Sequence, residues 1–357
     1  MTTAAGASPD GERRNVSDAA GVVALGACAT WSLITAATHD GRPEGVLLAV
    51  LAVAAGYAAG RICGALLPVA APCTAALAGL GLAVAAPHTL PGPQTATPPG
   101  HLGAVAALLV LATGAACCAA WAARPPLLRL ALRSLAVVLT AASAVLGPLA
   151  GSALCAAVLL CSLAAGHMPR RGMGLAGLAL TTVLVTGTAW AVAEDVLPDG
   201  LADSLEGQVS GHRVDLWHDA LLLVHRNPAT GVGPGRFAEL GPTASQSLPA
   251  EARPHSAPFQ QAAEQGVVGV ALLAAVFCWV LYALWRSPRP TSVVLTGGAA
   301  LTALAALATV GNVLSFTTVT VGAGLLAGLA TARPFVYDTP DTVPTRAWEQ
   351  REQREHH

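Results

Sequence analysis

Four arginines and four histidines, the side-chain types best suited to phosphate and proton chemistry, lie in one polar stretch of this chain, residues 196–265. It carries His212-Arg213-Val214-Asp215-Leu216-Trp217, then Asn227-Pro228-Ala229-Thr230-Gly231-Val232-Gly233-Pro234-Gly235-Arg236-Phe237, then Arg253-Pro254-His255-Ser256, and closes with Glu264 and Gln265. Guanidinium offers planar paired donors that match a phosphate, and it keeps its charge. Imidazole is the side chain best poised to accept a proton near neutrality. A polar stretch of this kind at a membrane boundary can handle ions and sugars.

Several alternatives are weaker. His212, His218 and His225 lie on or near one helix but not at i, i+4 spacing, so they do not read as a metal site. Gly231-x-Gly233-x-Gly235 has the wrong spacing for a dinucleotide fingerprint and no preceding strand, so it reads as a tight loop. The paired carboxylates of a glycosidase are not evident.

The elements that must hold this stretch are membrane helices. The chain has 357 residues, 54% of them hydrophobic and only 11% charged, where soluble domains run near ~25% charged. Mean hydropathy is +0.59. Apolar runs reach the roughly 20 residues that span a bilayer as a helix, and they lack the alternation of a β-barrel. Ten such runs lie near residues 20–38, 45–66, 69–86, 101–123, 130–146, 149–166, 173–193, 267–285, 293–310 and 314–332. The expected fold class is all-α: a polytopic integral membrane protein of about ten transmembrane helices with one large extracytoplasmic loop. The expected division is a disordered cytoplasmic N-terminus (1–19), seven spans (20–194), the loop (195–265), three spans (266–333) and a cytoplasmic tail (334–357). Arg13-Arg14 precede the first run without a small-residue cleavage site, which reads as an uncleaved span.

Arginine placement orients the set. There is no lysine. With the N-terminus inside, only Arg42 and the loop residues Arg213, Arg226, Arg236 and Arg253 fall outside, a strong positive-inside bias. The loop therefore faces outward. Within it, Leu216, Trp217, Ala220, Leu221 and Val224 share one face of an amphipathic helix that Asn227-Pro228 ends. The eight cysteines all fall in apolar runs and read as small core hydrophobes. A net charge of −1 carries no signal for nucleic acid.

The run Arg213-x-x-x-Trp217-x-x-Ala220-Leu221, then Asn227-Pro228-x-x-Gly231-Val232-Gly233-Pro234-Gly235-x-Phe237, then His255-Ser256-x-x-Phe259-Gln260-x-x-x-Glu264-x-Gly266-x-x-Gly269 resembles the O-antigen ligase and O-antigen polymerase superfamily, the ligase-like branch most. The resemblance implies a metal-independent glycosyltransferase without a cofactor. Such an enzyme takes a glycan from an undecaprenyl-diphosphate carrier and passes it to an acceptor hydroxyl at the outer face of the cytoplasmic membrane. It implies His255 as base and Arg213 as diphosphate ligand. Arg236 and Arg253 are further candidates for the diphosphate. Trp217 and Glu264 are supporting residues: Trp217 packs or stacks on sugar, and Glu264 caps the following span or orients the base.

One departure stands out. The family pattern carries an Arg near the start of a mid-chain span, where this chain has Gly151-Ser152-Ala153-Leu154. Either another Arg, such as Arg236 or Arg253, substitutes, or the site is weakened. The rival functions are therefore a transporter or flippase, and a catalytically degenerate scaffold. Almost no ionisable residue in mid-span argues against the first.

Overall fold

The structure is a computed structural model that describes residues 9–89, 98–168, 170–194, 196, 211–247 and 252–334. The expected C-terminal tail lies almost wholly outside these residues, as does the first part of the loop. Among the described residues every regular element is helical. In chain order they are α1 (Pro9–His39), α2 (Glu44–Leu66), α3 (Ala70–Thr89), α4 (Pro98–Ala122), α5 (Pro126–Leu146), α6 (Leu149–Ala165), α7 (Arg171–Ala193), α8 (Gly211–Arg226), α9 (Phe237–Leu240), α10 (Ala257–Arg286), α11 (Thr291–Val310) and α12 (Thr317–Thr331). Short 3₁₀ turns lie at Ala244–Gln246 and Val313–Ser315. The all-α, polytopic class is the one found.

Ten of these helices sit on the ten apolar runs. Seven segments are long and apolar enough to cross a membrane: Val16–His39, Glu44–Leu66, His101–Ala122, Pro126–Leu146, Arg171–Ala193, Ala257–Arg286 and Thr291–Val310. Ala70–Ala85, Leu149–Ala165 and Thr317–Thr331 are shorter. Proline marks the junctions. Pro125, Pro148 and Pro290 stand immediately before α5, α6 and α11, where a residue without an N–H costs a helix nothing.

The expected disordered N-terminus is corrected from Pro9 onward, where α1 has already begun. Its first turns are held from two sides. The Arg61 guanidinium meets both Asp18 carboxylate oxygens at 3.1 and 3.4 Å, and the Trp279 indole N–H donates to Ser17 O at 2.9 Å.

The centre of the bundle is α4, whose Ala-rich middle is almost wholly buried against α3, α5, α6, α11 and α12. Small residues allow that approach. They act most directly between α2 and α12. A Cβ on Gly56 or Gly60 would meet Val321 O or Leu325 O at 2.3 and 2.2 Å, and one on Gly324 or Gly328 would meet Val53 O or Tyr57 O at 2.3 Å. Spacing of four along both helices lets the backbones touch, as small-residue ridges do between membrane helices. The cysteines make no disulfide; Cys117, Cys118 and Cys155 are buried, while Cys63, Cys161 and Cys278 face outward and not into the core.

Candidate functional site

Helix α8 forms because its apolar residues repeat at helical spacing, and it binds because that face is covered. Leu216, Trp217, Ala220, Leu221, Leu223 and Val224 are buried, and all but Val224 cluster with Ala189 and Ala193 of α7 and Phe259 and Ala263 of α10. Trp217 is 1% exposed. Its ring stacks on Phe259 at 5.0 Å, and Phe259 stacks on Trp190 at 5.0 Å. The tryptophan is packed, with no open face for a sugar. Its indole N–H donates to Pro254 O at 2.8 Å.

That bond fixes the residue before His255. On the other side, Ser256 is buried and begins α10, its carbonyl accepting the Gln260 N–H at 2.9 Å. Between these two ties His255 is half-buried with φ +46°. Left-handed backbone is uncommon for a residue with a Cβ, and it persists only where neighbours over-determine it. Arg213 lies one helical turn before Trp217 on α8. The helix that anchors the histidine segment therefore also carries the arginine.

Removing the anchor has a measurable consequence. Trp217→Phe keeps an aromatic ring for the stack and leaves Pro254 O without its donor. It is expected to cost about 1–3 kcal/mol of stability, read by thermal unfolding in detergent. If His255 works from this fixed position, turnover in folded protein falls as well. Unchanged turnover would mean that the indole bond does not position His255.

The glycine loop seats against a break in α10. Gly266 has φ 69° and ψ −168°, which divides the helix after Gln265. A break frees carbonyls that a continuing helix would have satisfied. Here Val232 N donates to Ala263 O at 2.9 Å, Gly233 N to Glu264 O at 2.9 Å, and the Trp31 indole to Gln265 O at 3.0 Å. In return Val267 N donates to Pro228 O at 2.8 Å. The Asn227 to Gly235 motif is thus the complement of the broken helix.

This built loop, with its positive-φ glycines on a kinked helix and its tethered histidine, lies inside a segment that has a recognised counterpart. Residues 102–274 match the family model described as O-Antigen ligase. The match is consistent with a member of the O-antigen ligase superfamily. No curated protein and no solved structure matches it. The ligase domain runs from the second turn of α4 into α10 beyond the break, so it includes α8, the glycine loop and His255. That domain supports ligase- or polymerase-like glycan transfer in general, in a chain whose helices are long and apolar enough to cross a membrane.

Within and beside the ligase domain the arginines divide into two groups. Arg213 Nη1 donates to Val310 O at 3.1 Å, at the C-terminal end of α11, where a cation is favoured by the helix dipole. Burial lowers its pKa from the ordinary arginine value. Arg236 belongs to another neighbourhood: Nη1 donates to His39 O at 2.7 Å and Nε lies 3.6 Å from Glu239. Arg253 is half-buried and acts electrostatically on Glu264. Glu264 is 6% exposed and accepts from Gln260 Nε2 at 3.3 Å and from the Gly235 N–H. Those two partners come from its own helix and from the glycine loop. Ser256 stands at the start of α10, and Glu264 sits just before the break, where it braces the glycine loop.

Three contributors escaped the sequence reading. Asp219 is 3% exposed on the packed side of α8 and accepts from Thr243 N at 2.7 Å, Ala244 N at 3.1 Å and Thr243 Oγ1 at 3.2 Å, tying the return loop to the helix. An acid at i+3 from Leu216 on an apolar stripe was the available signal. His39 and Arg42, on the α1–α2 turn, had none, because their contacts lie almost 200 residues away. The segment 151–154, where an Arg was expected from the resemblance, opens α6. Ser152 Oγ donates to Leu149 O at 2.8 Å, and α6 packs on α4, α5 and α11.

Proposed function

We propose that the protein transfers a glycan from an undecaprenyl-diphosphate carrier to an acceptor hydroxyl at the outer face of the cytoplasmic membrane. His255 takes the proton from the acceptor hydroxyl. The hydroxyl oxygen bonds to the anomeric carbon as the bond from that carbon to the diphosphate oxygen breaks. The diphosphate leaves with the electron pair, its charge met by Arg213, with Arg236 and Arg253 as further ligands. Both termini are cytoplasmic and loop 195–265 is extracytoplasmic; the arginine bias between short loops supports that orientation.

The observation that carries this reading is the tether between Trp217 and Pro254, which couples the strained His255 to the helix bearing Arg213. A general base gains from being held in place, and the guanidinium stabilises charge that develops as the bond breaks. The absence of Arg from 151–154 favours a second reading, a non-catalytic scaffold.

The test is a transfer assay in liposomes with a labelled undecaprenyl-diphosphate oligosaccharide and a panel of hydroxyl acceptors, with and without EDTA. Turnover by wild type that survives EDTA, and a loss of about 10²-fold or more in Arg213→Ala, is the expected result. Donor binding without turnover on any acceptor would favour the scaffold.

A further inference from the structure

The α1–α2 turn, outside the ligase domain, is built into the glycine loop. The Arg42 N–H donates to Pro234 O at 2.7 Å, and Arg236 Nη1 donates back to His39 O at 2.7 Å. A Cβ on Gly233 would stand 2.7 Å from His39 Cβ, and one on Gly235 3.6 Å from Arg42 Cβ. Turn and loop therefore meet backbone to backbone, and the side chains of Arg42 and Arg236 leave from adjoining positions.

The peptide N–H groups of this loop are already committed. Gly231 N donates to Asn227 O, Val232 N to Ala263 O, Gly233 N to Glu264 O, Arg236 N to Gly233 O, and Gly235 N to the Glu264 carboxylate. Glycine-rich loops that cradle phosphate do so with free N–H groups. This loop has spent those donors on the broken helix and on its own turns, so an anion beside it has to be held by side chains. Among the described residues the ion pairs are Arg61–Asp18 and Arg236–Glu239. Arg42 is exposed and takes part in neither, although Asp40 and Glu44 flank it in sequence.

We propose that Arg42 is a diphosphate-binding residue that acts beside Arg236. Two guanidinium groups projecting from neighbouring backbones can take separate phosphates of one diphosphate, which a single fork cannot. The proposal rests on the transferase reading above.

The experiment measures binding of undecaprenyl diphosphate and undecaprenyl monophosphate to the full-length protein in nanodiscs, for wild type, Arg42→Gln and Arg42→Lys. Wild type binds the diphosphate more tightly. Arg42→Gln weakens diphosphate binding by about tenfold or more, the size of one charge-assisted hydrogen bond, and monophosphate binding by less. Arg42→Lys restores only part. The contact of Arg42 with Pro234 is through its peptide N–H, which every variant retains, and matching unfolding temperatures check that the fold is kept. Tight wild-type binding with no change in Arg42→Gln overturns the role of Arg42 alone. Equal wild-type affinity for the two lipids overturns the role of Arg42 and the transferase reading together.

Discussion

Replacing His255 with Ala is expected to lower glycan transfer by about 10²–10⁴-fold, the usual contribution of one general base, while donor binding stays near wild type. The argument combines chemistry with placement. Hydroxyl attack needs a proton acceptor, and His255 is held at φ +46° between a carbonyl fixed by Trp217 and the buried start of α10. Its backbone conformation is one that Ala adopts less readily, so the substitution by itself could shift the loop. His255→Asn separates the two effects. Asparagine tolerates left-handed backbone but cannot serve as the base. Both variants are expected to lose turnover in the liposome assay and to keep their affinity for undecaprenyl diphosphate. Wild-type turnover in either variant would remove His255 from the mechanism.

Gly266→Ala is expected to do the greatest structural damage of any single methyl in the ligase domain. The backbone there, φ 69° and ψ −168°, belongs to a region that only glycine visits readily. That alone costs about 1–3 kcal/mol. The added Cβ would also stand 2.4 Å from Ala229 O and 2.5 Å from Pro228 O, so the glycine loop must move off the broken helix. Movement breaks the bond from Val267 N to Pro228 O and those from Val232 N and Gly233 N to Ala263 O and Glu264 O. The expected readouts are a lower unfolding temperature in detergent, faster proteolysis within 227–247, and loss of transfer. Gly177→Ala on α7, with nothing within 4 Å of the added methyl, is the control and leaves all three unchanged. A Gly266→Ala protein with wild-type stability and turnover would show that loop and helix do not depend on this break.

Much of the candidate site was legible because its signals are local. The stripe from Leu216 to Val224 predicted α8, and Asn227-Pro228 predicted its end, since apolar periodicity and a residue without an N–H act within a turn or two. The spacing Gly231-x-Gly233-x-Gly235 announced a tight loop, and all three do have positive φ. What they accommodate was not visible: Gly231 clears Ala263 O, Gly233 clears His39 Cβ, and Gly235 lies against Arg42. The partners of Glu264 were not visible either, because the break at Gly266 depends on a loop some 30 residues upstream. Asp219 was missed because an acid on an apolar helix face is unfavourable until distant N–H groups arrive to meet it.

The same division holds for the whole chain. Composition and hydropathy were enough for an all-α membrane protein with its helices in the right places, because desolvating a peptide group in hydrocarbon forces each span to satisfy its own hydrogen bonds. They could not say how the spans associate. Lipid tails are as apolar as leucine, so hydropathy does not separate a helix facing lipid from one facing protein. His101–Ala122 is almost wholly buried and Arg171–Ala193 hardly at all, although both are long apolar runs. Association turned on glycine ridges between α2 and α12, on indoles of α1 and α10 that each reach the other's backbone, and on a turn at residues 39–43 that meets the loop at 233–236. Those contacts join positions far apart in sequence, and their energy appears only once the backbones are close enough to touch.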